Sequence, residues 1–313
     1  MPCRVRFRFY LGLKFNSLVN YMSVSVNKPE RVRNAALRRP EWLKIRLGAK
    51  GNYNDVRRLI ADKKLNTVCE SARCPNIGEC WSRRTATFMI LGNICTRSCK
   101  FCNIEAAKPT EYDLQEPQRV AEAVEELNLR HAVITSVTRD DLADGGAFMF
   151  AETIRQIRTR KPITTIEVLI PDFQGDFSAL ETVLEAGPDI LNHNIEVVER
   201  LQKEIRVQAS YKRSLSVLKY AAEKDFVTKS GIMVGFGEDR EEILQSFIDL
   251  RKTGCTILTI GQYLPPTKKH YPLFRFYHPD EFKELKEIAL QYGFTHVESG
   301  PKVRSSYHAD QQF

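Results

Sequence analysis

TFMILGNICTRSCKFCNI, residues 87–104, starts as a short apolar run of β-forming residues and breaks into a loop with three cysteines. These are Cys95, Cys99 and Cys102, with Phe101 just before the last. Upstream, CESARCPNIGEC at 69–80 carries a second set, Cys69, Cys74 and Cys80. Six of the eight cysteines thus fall within 34 residues. Each triplet supplies three soft thiolates from one short segment, the ligand type of an iron–sulfur cluster. Three ligands to a four-iron cluster leave one iron open to another group.

Other uses of clustered cysteines fit less well. Disulfide frameworks belong to small secreted domains, not to a long chain with its cysteines in one patch. Zinc sites can use three cysteines and a histidine, but the nearest histidine after either triplet is His131. Neither triplet carries the second CxxC or paired histidines usual for zinc. A ferredoxin cluster takes four cysteines, and each set stops at three.

Outward from residue 87 the pattern is regular. TFMIL (87–91), HAVITS (131–136), TTIEVLI (164–170), DILN (189–192), TKSGIMVGF (228–236) and TILTIGQYL (256–264) read as strands. Between and after them, 117–129, 150–159, 177–186, 197–204, 213–224 and 241–252 read as helices. Strands alternating with helices imply a parallel sheet with helices outside it. Six such units suit a partial barrel, and the periodicity alone suits a flat doubly wound sheet as well. Before the triplets, NYNDVRRLIADKKLN (52–66) reads as an amphipathic helix, with Val56, Leu59, Ile60 and Lys63 at helical spacing. Asn54 or Asp55 is its expected cap. A last helix is expected over PDEFKELKEIALQYG (279–293).

The 313 residues are enough to bury a sizeable core, and 42% apolar with 27% charged is ordinary for a globular chain. No apolar run is long enough to span a bilayer. The net charge of +8 sits in an arm: residues 1–50 hold twelve Lys+Arg and two acids. The remaining residues hold 35 basic and 37 acidic side chains, which argues against a nucleic-acid surface across the fold. A metal-binding module whose basic arm contacts RNA is the alternative class, and the six β/α units are a scaffold such a module does not need. Residues 1–29, free of acids and rich in arginine, read as a disordered tail, with a mitochondrial transit segment as the alternative and Met22 as an alternative start. Cys3 and Cys255 read as plain thiols, and His193 as a structural histidine that could instead line the cavity.

The C-x3-C-x-F-C spacing of Cys95 to Cys102 resembles that of the radical S-adenosylmethionine enzymes. The preceding Cys69–Cys80 segment narrows the resemblance to the lipoyl synthase family, over about residues 40–310. The resemblance implies an α/β fold, a partial (β/α)6 TIM-type barrel with N- and C-terminal extensions covering its open end. The implied division is a tail at 1–29, an N-terminal extension at 30–80, the barrel core at 81–295 and a C-terminal extension at 296–313.

It also implies two 4Fe-4S clusters with S-adenosylmethionine as co-substrate. Cys95, Cys99 and Cys102 would hold the cluster that binds S-adenosylmethionine. Cys69, Cys74 and Cys80 would hold an auxiliary cluster, completed by Ser306 from the closing Arg304-Ser305-Ser306-Tyr307. The implied reaction inserts two sulfur atoms, at C6 and C8 of a protein-bound octanoyl-lysine, through a 5′-deoxyadenosyl radical and sacrifice of the auxiliary cluster. The implied carriers are lipoyl domains of 2-oxoacid dehydrogenases or the glycine-cleavage H protein, with a ferredoxin- or flavodoxin-type reductant. No membrane or nucleic-acid partner is implied, and the expected location is the cytoplasm, or mitochondria if the arm is a transit segment. In such barrels functional groups sit at the C-terminal ends of strands. Phe101, Gly145, Gly146, Glu167 and Gly235 are the expected cofactor contacts, the glycines by presenting backbone amides. In GQYLPPTKKH (261–270) and just after it, Pro265 and Tyr271 depart from the family pattern, which bears on local contacts only.

Overall fold

Residues 38–44 and 52–312 are described in the computed structural model. The tail expected over 1–29, with Cys3, lies outside them. Ten strands follow in chain order: β1 (Asn66–Thr67), β2 (Thr87–Ile90), β3 (Ile94–Cys95), β4 (Glu105–Ala106) and β5 (His131–Ser136) come first. Then come β6 (Thr165–Leu169), β7 (Ile190–Asn192), β8 (Val227–Val234), β9 (Ile257–Gln262) and β10 (His296–Gly300).

Eight of them form one sheet in the order β1-β2-β5-β6-β7-β8-β9-β10. From β2 to β10 every neighbour is parallel, and only β1 runs antiparallel, on β2. The six units read from the sequence are β2 and β5 to β9. Both edges are then extended by the flanking segments, β1 from the N-terminal side and β10 from the C-terminal side. The sequence reading missed β10, whose residues His296–Gly300 mix polar and apolar types, because its parallel pairing with β9 is set by tertiary contact.

Parallel strands covered on both faces read as continuous apolar runs, and all four residues of β2 are buried. Helices Glu116–Glu126, Ala147–Arg160 and Phe177–Glu185 close one apolar core over β2, β5 and β6. A second core lies under helices Tyr211–Glu223, Arg240–Lys252 and Pro279–Gln291. Their starts are capped as the sequence allows. Asp176 accepts from the Ser178 and Ala179 amides, and Asp239 with Glu242 forms a capping box.

Two local expectations are corrected. The N-terminal helix spans Tyr53–Asp62, so Asn54 and Asp55 lie inside it and Asn52 is the cap residue, without a side-chain cap bond. The helix expected over 197–204 breaks into two short turns, Glu199–Leu201 and Gln202–Ile205. Val197 and Val198 are drawn into the core instead. The N-terminal helix buries Val56 and Ile60, and Lys63 after it pairs with Glu122 and Glu126. That fixes the chain entering Cys69 against the helix after β4.

Candidate metal centres

The loop after β2 carries Cys95, Cys99 and Cys102 at the C-terminal ends of the strands. Cys95 ends β3, which pairs with β4 and so folds the loop into a small clip. The Cys95 sulfur accepts from the amides of Arg97 (3.4 Å) and Thr138 (3.3 Å), and the Ile104 backbone hydrogen-bonds the Cys102 thiol. The loop is tied to the barrel on several sides. The Lys100 amide donates to Ile205 O, the Tyr271 amide donates to Lys100 O, and His270 Nε2 lies 2.9 Å from Cys102 O. The GQYLPPTKKH region therefore clasps the cysteine loop.

The strongest tie is ionic. Arg97, between Cys95 and Cys99, forks onto Asp140 at 2.7 and 2.8 Å and reaches Asp172 at 2.6 Å. Arg213 holds the other Asp172 oxygen at 2.6 Å. Burial alone would raise the Asp172 carboxyl, but the hydrogen bond and charge of Arg97, with Arg213 behind them, hold it well below the usual carboxylate range. Asp172→Ala is expected to cost about 3 kcal/mol, because it strips a buried guanidinium of one partner. Asp172 ionises below its unfolded value near 3.9, so its stabilisation is full above that pH and fades as acid approaches the folded value. Denaturation midpoints of the wild type and Asp172→Ala should therefore differ at pH 7 and draw together below about pH 4. A constant gap would contradict this.

The other triplet occupies the opposite end of the same strand. Cys69 lies in helix Val68–Ser71 and Cys80 in helix Ile77–Ser82. Cys69, Cys74, Cys80, Thr87, Arg304 and Ser306 all line one cavity. Thr87 and Asn76 hydrogen-bond the Cys69 and Cys74 thiols through their backbones. The cavity meets the start of β2 and the Cys95 loop follows its end.

The donor sets fit polynuclear clusters. All seven described cysteines are free thiols. Among the described residues no group of three or more His, Cys, Asp or Glu side chains is arranged to hold a metal ion. Backbone N–H groups directed at sulfur are the usual support of an iron–sulfur cluster. Burial pushes the Cys69 thiol up to about 11 and those of Cys80 and Cys102 up to about 12, and raises Cys74 and Cys99 also. Thiols so raised become thiolates only with a cation beside them.

The two serines of the closing segment face different ways. Ser306 Oγ accepts from Thr87 Oγ1 at 2.7 Å, inside the first-triplet cavity. Ser305 Oγ instead accepts from Asn194 Nδ2 at 2.6 Å. Asn194 also donates to Glu196 Oε1, while its own Oδ1 is buried without a partner. The charge of Glu196 is felt at both Cys99 and Cys102. Burial raises the Glu196 carboxyl against the pull of Arg206. Asn194 and Glu196 were missed in the sequence, although LNHNIE (191–196) marks a polar turn after β7.

The expected cofactor contacts come out differently. Phe101 packs partly buried against the second core. Gly145 and Gly146 form the turn into helix Ala147–Arg160, and their amides go to Leu142 O and Asp144 Oδ1. Leu91 leaves no room for a Cβ at Gly146. The Gly235 amide donates to Glu238 at 2.7 Å. In this structure the amides of these glycines are used within their own turns. Glu167 is fully buried, with its carboxylate on Lys229 (2.8 and 3.0 Å), Asn192 (2.8 Å) and His131 (3.4 Å). Its oxygens serve an ion pair with Lys229. His193 is buried and satisfied by Ile170 O and Ser214 Oγ, each at 2.9 Å. Burial, then the Arg206 charge, pushes it down to about 4, so it is neutral and structural. Cys255 is a buried thiol raised by burial to about 12.

Comparison with known proteins agrees with this geometry. Residues 89–250 match the radical SAM superfamily, and residues 19–74 match the N-terminal domain of lipoyl synthase of that family. The lipoyl synthase of Geobacillus sp. (strain WCH70) is 60% identical over 279 residues, covering 88% of this chain and 94% of that protein. That of Bacillus subtilis (strain 168) is 57% identical with the same coverage. The crystal structure of methylornithine synthase shares the fold at a TM-score of 0.51 and 14% identity, over 80% of this chain and 83% of that one. The hydrogenase maturase HydG does so at 0.52 and 12%, over 84% and 71%.

Proposed function

The chain belongs to the lipoyl synthase family of radical S-adenosylmethionine enzymes, and on that premise we propose that its two triplets divide one reaction between them. It is a sulfur-inserting enzyme of lipoate biosynthesis that uses S-adenosylmethionine, a 4Fe-4S cluster and an octanoylated protein substrate. The finer reading assigns that cluster to Cys95, Cys99 and Cys102, and an auxiliary one to Cys69, Cys74, Cys80 and Ser306. When bound, these groups would supply a 5′-deoxyadenosyl radical for hydrogen abstraction at C6 and C8, and sulfur from the auxiliary cluster, with two S-adenosylmethionine molecules used per lipoyl group.

The protein's own residues position and enclose these groups. Arg97, braced by Asp140 and Asp172, holds the loop in which Cys95 and Cys99 sit. The unpartnered Asn194 Oδ1 and the Glu196 carboxylate are acceptors for the amino and hydroxyl donors of S-adenosylmethionine. The Lys229–Glu167 pair seals polar charge inside the barrel. The octanoyl chain would lie between the two ends, carried by a lipoyl domain of a 2-oxoacid dehydrogenase or by a glycine-cleavage H protein. A ferredoxin- or flavodoxin-type protein would deliver the electrons.

The observation that carries this reading is the pair of thiol triplets at opposite ends of one interior, with Ser306 and not Ser305 in the first-triplet cavity. Three cysteines leave one iron of a four-iron cluster without a thiolate. A serine oxygen is harder than a thiolate, and Ser306 would complete the ligand set of such a cluster. The test is anaerobic turnover on an octanoyl-lysine peptide with mass spectrometry for added sulfur. Wild type is expected to add two sulfur atoms. Ser306→Ala is expected to cleave S-adenosylmethionine yet add no sulfur, and Ser305→Ala to lose far less. A normal lipoyl yield from Ser306→Ala would exclude the serine ligand.

A further inference from the structure

We propose that Thr87 is a positioning residue for the fourth ligand of the first-triplet site, a barrel side chain that holds the Ser306 hydroxyl in the cavity. This rests on the assignment of Ser306 made above. Thr87 is the first residue of β2 and is 6% exposed. Its hydroxyl donates to Ser306 Oγ at 2.7 Å and its backbone hydrogen-bonds the Cys69 thiol. Two residues earlier, the Thr85 amide donates to Cys80 O at 2.9 Å. The run 85–87 therefore ties groups from both ends of the chain to one barrel strand.

The neighbours of Ser306 are anchored elsewhere. Ser305 is held by Asn194, and Tyr307 Oη donates to the Glu79 carboxylate at 3.2 Å. Among the described hydrogen bonds, the Ser306 side chain has Thr87 as its partner. Gly261 lets the segment lie this close to the sheet, because a Cβ there would collide with Val303 O. The backbone thus brings Ser306 to the cavity, and Thr87 sets where its oxygen points.

The Thr87 hydroxyl is the side-chain contact that orients the Ser306 oxygen in the cavity. Valine has the shape of threonine without the hydroxyl, so Thr87→Val removes the bond with little change in volume.

The experiment uses full-length protein reconstituted anaerobically with ⁵⁷Fe, as wild type, Thr87→Val, Thr87→Ser and Ser306→Ala. Mössbauer spectra, iron content, S-adenosylmethionine cleavage and sulfur insertion are measured on each. Thr87→Val is expected to keep iron content and cleavage. Its signal from the oxygen-ligated iron should move to that of Ser306→Ala, and sulfur insertion should fall about tenfold, the factor one hydrogen bond commonly carries. Thr87→Ser restores both. A wild-type signal in Thr87→Val beside an altered one in Ser306→Ala overturns the role of Thr87 and leaves the serine ligand standing. Wild-type signals in both remove the serine ligand itself. Loss of iron from Thr87→Val that Thr87→Ser does not restore makes Thr87 merely structural and overturns the proposal.

Discussion

Cys99→Ala is expected to reduce S-adenosylmethionine cleavage to background, whereas Cys74→Ala keeps cleavage and loses sulfur insertion. The separation follows from the sheet. Cys99 lies in the loop after the C-terminal end of β2, held by Arg97, Ile205 and the 270–271 segment. Cys74 lines a cavity at the N-terminal end of β2, and its backbone support comes from Asn76. These supports share no residue, and Asn103 Nδ2 on Ser71 O at 2.8 Å joins the two segments without involving Cys99 or Cys74, so each substitution should act mainly at its own site. Chromatography of 5′-deoxyadenosine reads the first activity and mass spectrometry of the octanoyl peptide reads the second. Lipoyl product at normal yield from Cys74→Ala would end the division of labour.

The second large effect is on stability. Lys229 and Glu167 are fully buried, and their ion pair lies inside the barrel. Burial by itself would raise the Glu167 carboxyl, but the Lys229 charge and the His131 hydrogen bond outweigh it and keep the group ionised. Lys229→Met leaves that carboxylate with Asn192 and His131 alone. Breaking a buried pair on one side costs about 3–5 kcal/mol, a large share of the 5–15 kcal/mol typical of a folded domain. Removing both charges, as Lys229→Met with Glu167→Leu, is expected to recover most of the loss, since no orphaned charge remains. Anaerobic denaturant titration of the two variants checks this. Equal destabilisation of both would show that the pair acts by packing alone.

The barrel was legible because parallel strands covered on both faces must be apolar throughout. HAVITS was placed at its observed bounds and TFMIL to within one residue. Legibility failed where the local signal was weak. Residues 197–204 carried a helical pattern, but a tertiary pocket took Val197 and Val198 and broke it. β10 carried too little apolar sequence to be read and is a strand because the edge of β9 was open to it. The amides of Gly145, Gly146 and Gly235 are bonded within their own turns, which sequence alone does not show. Glu167 was placed on the correct strand, but no sequence pattern names Lys229 as its partner 62 residues away.

Sequence by itself determined the chemistry available to this protein. Cysteine type and spacing give each triplet three soft thiolate ligands, and strand–helix alternation restricts the scaffold to a parallel sheet. Tertiary structure alone decided the arrangement. Cys69 and Cys95 are 26 residues apart, yet they lie at opposite ends of the barrel because β2 runs between them. Ser306 follows Cys80 by more than 200 residues and still shares its cavity, because β10 pairs with β9 and turns the chain end back to β2. Ser305 and Ser306 are chemically identical neighbours, and only the positions of Asn194 and Thr87 distinguish them. Local sequence fixes which groups a segment can offer. Which of them meet depends on pairings between distant segments, whose energies arise only when the whole sheet is assembled.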